Sequence, residues 1–168
     1  MERPPTKHLS PRLHPRRLDD GAYRRLWAPV FFTLTTARKR AFLVSSGTPA
    51  LVVEALDWNA DPRGTHVIAY CVMPDHVHVI ACNGREGEDL RHFAKGVKLT
   101  SSRLFREAFI EPPFWQRRYW DKHARACDDL GAQIEYVLMN PCRAGLCERP
   151  EDWPYSEHRG LPPGFDGC

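Results

Sequence analysis

The stretch Thr65-His66-Val67-Ile68-Ala69-Tyr70-Cys71-Val72-Met73-Pro74-Asp75-His76-Val77-His78-Val79-Ile80-Ala81 decides how the rest of the chain is read. β-Branched and apolar residues run on both sides of Met73-Pro74-Asp75, which predicts a hairpin with strands over 65–72 and 76–81. Successive side chains of a strand point to opposite faces, so His76 and His78 leave one face together while Val77 and Val79 leave the other. Both histidines stand near the turn, where a side chain can look into a cleft beside the sheet.

Upstream, Val30-Phe31-Phe32-Thr33-Leu34-Thr35-Thr36 reads as a first strand, bounded by Pro29 and the basic cluster Arg38-Lys39-Arg40. Leu51, Val52, Ala55, Leu56 and Trp58 suit a helix over 48–59 lying on a sheet, and Asp61-Pro62-Arg63-Gly64 is a turn. Downstream, Asn83 to Asp89 is a loop. Leu90 to Phe109 then has the apolar spacing of a long amphipathic helix, with Arg91, Lys95, Lys98, Arg103 and Arg106 giving it a basic outer face.

Pro112-Pro113 ends that helix, and Phe114-Trp115-Gln116-Arg117-Arg118-Tyr119-Trp120 follows as a final strand or as a surface for stacking unpaired bases. Asp128-Asp129 starts a last helix that runs to Asn140-Pro141. The order β-α-β-β-α-β followed by a helix predicts an α+β fold. Its sheet is a ferredoxin-like split βαβ arrangement with helices on one face and the other face open for a site. Residues 1–28 form a basic N-terminal segment, 29–141 the domain, and 142–168 an irregular tail whose Asp152-Trp153-Pro154-Tyr155-Ser156 can dock back.

Length and composition fit one soluble domain with tails. No apolar run approaches a membrane span and the start has no apolar signal core, so a cytoplasmic protein is expected. The six cysteines show no Cys-x-x-Cys pair and read as small apolar fillers. A net charge of +3 says little about partners. The distribution of charge says more. Arg16 and Arg17 in the first segment, Arg38, Lys39 and Arg40, then Lys95, Lys98 and Arg103, and finally Arg117 and Arg118 beside Trp115 and Tyr119 are the residues expected to meet DNA.

On the last helix Gln133, Tyr136 and Asn140 share one face, flanking an apolar stripe. Two strand imidazoles plus the amide oxygen of Asn140 or Gln133 leave open positions for water and a phosphate oxygen. That suits Mg²⁺ or Mn²⁺ better than structural zinc, which prefers a closed shell with thiolates. Tyr136 is then the candidate nucleophile, although a tyrosine on an amphipathic helix is ordinarily a packing residue and a strand His-x-His pair can be ordinary core. Tyr119, the rival tyrosine, has aromatic and cationic neighbours and no ligand-type residue one turn away.

Four motifs in order resemble the REP-associated tyrosine transposases of the single-tyrosine HUH (His, hydrophobic, His) superfamily, which has an IS200-like transposase domain. They are Val72 to Ile80, Phe114 to His123, Ile134 to Leu146 with Met139-Asn140-Pro141-Cys142 in place of the usual hydrophobic-Asn-Pro-Val, and Asp152 to Ser156. The resemblance implies a ferredoxin-like domain that nicks and joins single-stranded DNA, often at the foot of palindromic hairpins, through a covalent phosphotyrosine. It implies Tyr136 as the catalytic residue, His76, His78 and Asn140 as ligands of Mg²⁺ or Mn²⁺, and a monomer or homodimer acting on single-stranded or hairpin DNA.

Overall fold

The computed structural model describes residues 18–45, 47–108, 110–123 and 127–162, without the side chains of 123 and 127–129. Arg16 and Arg17 therefore lie outside the described residues. Nine elements matter for the site: β1 (Val30–Thr35), α1 (Thr48–Ala60), β2 (Thr65–Val72), β3 (His76–Asn83), α2 (Leu90–Glu107), β4 (Trp120–His123), α3 (Cys127–Leu138), α4 (Asn140–Arg143) and β5 (Ser156–His158). The strands form one antiparallel sheet in the order β4-β1-β3-β2-β5, whose first four are the expected split βαβ arrangement.

Alternation along the strands divides the apolar residues between two faces. Phe32, Leu34, Val77 and Val79 face α1 and α2 and join Val52, Leu56, Phe93, Val97 and Phe105 in the larger core. Phe31, Ala69, Cys71 and Ile80 face the other way, against Leu130 and Val137 of α3. The two central strands are thus buried on both sides, which explains their nearly continuous apolar sequence. The face expected to be open is half covered: α3 lies over β2, β3 and β5 and leaves the β1–β4 side accessible.

Three expectations change in detail. The final strand begins at Trp120 rather than Phe114, because Phe114 turns into the core between Phe42 and Phe105, leaving only an isolated bridge from Thr36 to Trp115 before β4. The segment before Pro29 is not wholly a surface tail. Tyr23 is buried and its hydroxyl donates to Asp121 of β4 at 2.5 Å.

The tail is not wholly irregular either, since β5 pairs with β2 while the Trp153 indole donates to the Val72 carbonyl at 3.1 Å. An otherwise bare edge of β2 is covered this way. Cys71 and Cys82 are buried fillers, whereas Cys142 and Cys147 are half-buried with their sulfurs 3.3 Å apart. Among the described residues no helix is long and apolar enough to cross a membrane.

Candidate active site

Antiparallel register sets the site in rows. His78 stands opposite Thr33, and Thr33 opposite Trp120; His76 stands opposite Thr35; Phe31 lies between Ile80 and Lys122. The Nε2 atoms of His76 and His78 face each other at 3.0 Å. Each Nδ1 has its own partner, the Asp75 carboxylate at 2.6 Å for His76 and the Thr33 hydroxyl at 3.0 Å for His78. When both Nδ1 atoms donate to these oxygens, both Nε2 atoms carry lone pairs. Two lone pairs this close repel unless a cation sits between them.

The spacing fits such a cation. Two nitrogens bound at right angles about 2.1 Å from one ion stand about 3.0 Å apart. Burial, and after it the neighbouring His76, push the His78 imidazole down to about 3 against an opposing pull from Asp75, so His78 is neutral at ordinary pH. A neutral imidazole is the ligating form. Among the described residues no three His, Cys, Asp or Glu side chains are placed to hold one metal ion together.

Helix α3 carries Tyr136 to the pair. Its ring lies 5.7 Å from that of His78 and 6.1 Å from that of Phe31, and 44% of the residue is exposed. The Arg143 guanidinium sits 5.0 Å above the Tyr136 ring. All these residues belong to one chain, so the tyrosine reaches the histidines without a second copy. Tyr119 instead packs edge-on against Phe32 in the core under α1 and α2, on the face opposite the histidines.

Beside Tyr136 is a cleft of about 530 Å³ lined by Phe31, Thr33 and His78, by Trp120 and Lys122 of β4, and by Gln133 and Tyr136 of α3. Asn140 is half-buried at the start of α4 and does not line it. Asn140 follows Tyr136 by four residues, about one helical turn along the chain. Burial above all, and after it the neighbouring Cys147 and Cys142 thiols, push the Cys71 thiol up to about 12, so the segment following Asn140 lies beside β2.

The residues expected to meet DNA fall into separate places. Lys95, Lys98, Trp115, Arg117, Arg118 and Tyr119 share a groove of about 800 Å³ between α2 and the loop before β4. Within it, however, Lys98 is tied to the Gln116 carbonyl at 2.5 Å and Trp115 to Ser101 at 3.0 Å, while Tyr119 is packed as above. Arg38 and Lys39 are exposed, Arg40 donates to the Glu111 carbonyl at 2.6 Å, and Arg103 lies on the exposed face of α2 facing Glu107. Sequence reading did not single out Thr33, Lys122 or Arg143 for the site and took Trp120 only as the end of an aromatic stretch; of the first three only Arg143, seven residues after Tyr136 on the same helical face, had a local signal.

The family described as "Transposase IS200 like" matches residues 30–128. The REP-associated tyrosine transposase of Escherichia coli strain K12 is 26% identical over 136 residues, covering 80% of this chain and 79% of the relative. A Haemophilus influenzae relative assigned to the same REP-associated group is 29% identical over 105 residues, which span 56% of this chain and 60% of that protein. A solved REP-associated tyrosine transposase bound to a REP hairpin superposes with a TM-score of 0.69 at 24% identity, covering 87% of this chain and 88% of the other. The match over β1 to the start of α3, on the sheet that carries the histidines, places this chain in the IS200-like transposase family.

Proposed function

We propose that this transposase-family chain nicks and rejoins single-stranded DNA by a metal-dependent reaction through a covalent bond to Tyr136. The observation that carries the reading is the approach of Tyr136 to His78 within one chain, with the paired Nε2 atoms of His76 and His78 beside it. His76 and His78 would hold Mg²⁺ or Mn²⁺. Asn140, four residues after Tyr136, is the proposed third ligand. A bound divalent ion polarises a phosphate and balances charge as the transition state forms.

The remaining work belongs to the chain. The Tyr136 oxygen attacks the scissile phosphorus; an O–P bond to tyrosine forms as the bond to the leaving sugar oxygen breaks. The phenolic proton passes to solvent and the leaving oxygen takes one up. The number of phosphodiester bonds is conserved, so the sugar hydroxyl can reverse the reaction and rejoin the strand. Arg143 supplies positive charge beside the ring, and Asp75 and Thr33 hold the imidazoles in the ligating tautomer. The names of the relatives and the hairpin bound to the solved one support hairpin-bearing REP-type DNA as the substrate.

Incubation with hairpin-bearing single-stranded oligonucleotides and Mn²⁺ tests this. A covalent protein–DNA adduct is expected, absent in Tyr136→Phe, and His76→Ala is expected to abolish cleavage while retaining most DNA binding. Cleavage that persists in Tyr136→Phe would remove the phosphotyrosine step in favour of activated water.

A further inference from the structure

The cleft beside Tyr136 contains a feature that holding a metal ion leaves unexplained. Gln133 is only 9% exposed, and neither its amide oxygen nor its amide nitrogen has a hydrogen-bond partner among the described residues. A buried donor and acceptor both left unmade are costly, so such a group marks a place where a ligand completes the bonds. A cation would satisfy the oxygen alone.

The walls indicate what the ligand is. Trp120 is 39% exposed, meets Phe31 edge-on at 5.6 Å and lines the same cleft as Gln133. Lys122 adds a cation at the exposed edge. A flat face, an edge offering a donor next to an acceptor, and an attached anion are the features of a nucleotide. At about 530 Å³ the cleft is in the range of small-ligand sites, about 300–1,000 Å³.

We infer that this cleft holds one unpaired base next to the phosphate attacked by Tyr136, stacked on Trp120 and hydrogen-bonded by Gln133, with Lys122 on the adjoining backbone. The base must be unpaired, since pairing would occupy the edge that Gln133 reads. The nucleotide in the cleft would then confer two properties together: a preference for single strands at the cut and a dependence on the base beside it. The inference rests on the proposed nicking reaction for its placement.

Binding without chemistry separates the two ideas. Full-length Tyr136→Phe protein, free of metal, is titrated with REP-type hairpin oligonucleotides whose single-stranded tail carries one abasic site at each position in turn. One position is expected to weaken binding by about 10- to 100-fold, the range of base-aromatic stacking. Adding Trp120→Ala or Gln133→Ala is expected to shrink that penalty below about threefold, because the lost base and the lost side chain make the same contact. Gln133→Glu, nearly equal in size, guards against a folding defect and is expected to bind the abasic strand like the parent while losing the preference.

An abasic penalty that persists undiminished in these variants would overturn the proposal. So would loss of Mn²⁺ affinity in DNA-free Gln133→Ala with base dependence intact, which would make Gln133 a metal ligand. Absence of a wild-type adduct alongside normal base dependence would instead overturn the nicking reading and leave the cleft assignment standing.

Discussion

At the scale of single residues, the histidine pair depends on its hydrogen-bond partners. Without the Thr33 hydroxyl, 3.0 Å from His78 Nδ1, the buried imidazole is free to take the tautomer that blocks its own Nε2. Thr33→Val is therefore expected to lower Mn²⁺ affinity by about 10- to 100-fold with little change in melting temperature, measured by calorimetric titration and thermal denaturation. Asp75→Asn should act in the same direction at His76. The histidines were legible from their spacing in a strand. Thr33 was not, because it becomes their neighbour only through the pairing of β1 with β3, and one residue of slip would have presented Phe32 or Leu34 instead.

At the scale of elements, α2 rests on two local devices. Asp89 caps its first turn, accepting from the Arg91 backbone N–H at 2.9 Å, and is clasped by the Arg91 and Arg24 guanidinium groups. Hydrogen bonding from the Arg91 side chain, reinforced by its backbone N–H and Arg24, holds this buried carboxyl well below the ordinary carboxylate range despite an opposing effect of burial. A depressed carboxylate stabilises the fold fully above the unfolded value of about 3.9, and that stability is lost as pH falls below it. Asp89→Asn is expected to cost about 1–2 kcal/mol at pH 7 and to flatten the fall of stability between pH 5 and 2, read from urea unfolding at each pH.

Gly96 shows packing prevailing over propensity. A Cβ there would stand 2.0 Å from the Asn59 amide oxygen, and Asn59 is fixed by bonds to the Ala55 carbonyl and Thr100. Helix propensity alone predicts a gain of about 1 kcal/mol for Gly96→Ala. The close approach of α1 and α2 predicts a loss of about 1–3 kcal/mol, which denaturant unfolding would decide. Most elements were legible because their hydrophobic periods are clean. The strand before α3 was placed too early, since Phe114, Trp115 and Tyr119 are apolar enough for a strand yet bury their rings in a loop.

At the scale of the whole molecule, the single-chain approach of Tyr136 to His78 predicts catalysis in cis. Mixing Tyr136→Phe with His76→Ala protein is expected to yield no adduct, whereas a dimer exchanging α3 would restore up to about a quarter of the sites by random pairing. The groove carrying Lys95, Arg117 and Arg118 lies on the α2 side of β4, and the cleft with Tyr136 lies on the other face of the sheet. A single strand passing around the β4 edge would touch both. Each of Lys95→Ala and Arg117→Ala should then weaken binding across sequences and reduce the salt slope by about 0.7, the value per phosphate of a single strand.

By itself the sequence determined the α+β order, the hairpin with its histidine pair and the helix face bearing Tyr136, since each depends on residues a few positions apart and on a fixed period of 2 or 3.6. Tertiary structure alone decided that α3 crosses β2 and β3 while leaving β1 and β4 open, that Gln133 rather than Asn140 enters the cleft, and that Trp120, Lys122 and Thr33 surround it. It also decided that Tyr23 and Trp153, far apart in the chain, secure the two flanks of the domain. These depend on register and on how a helix lies across a sheet, and contacts between residues 40 to 100 positions apart leave no period in the sequence to read.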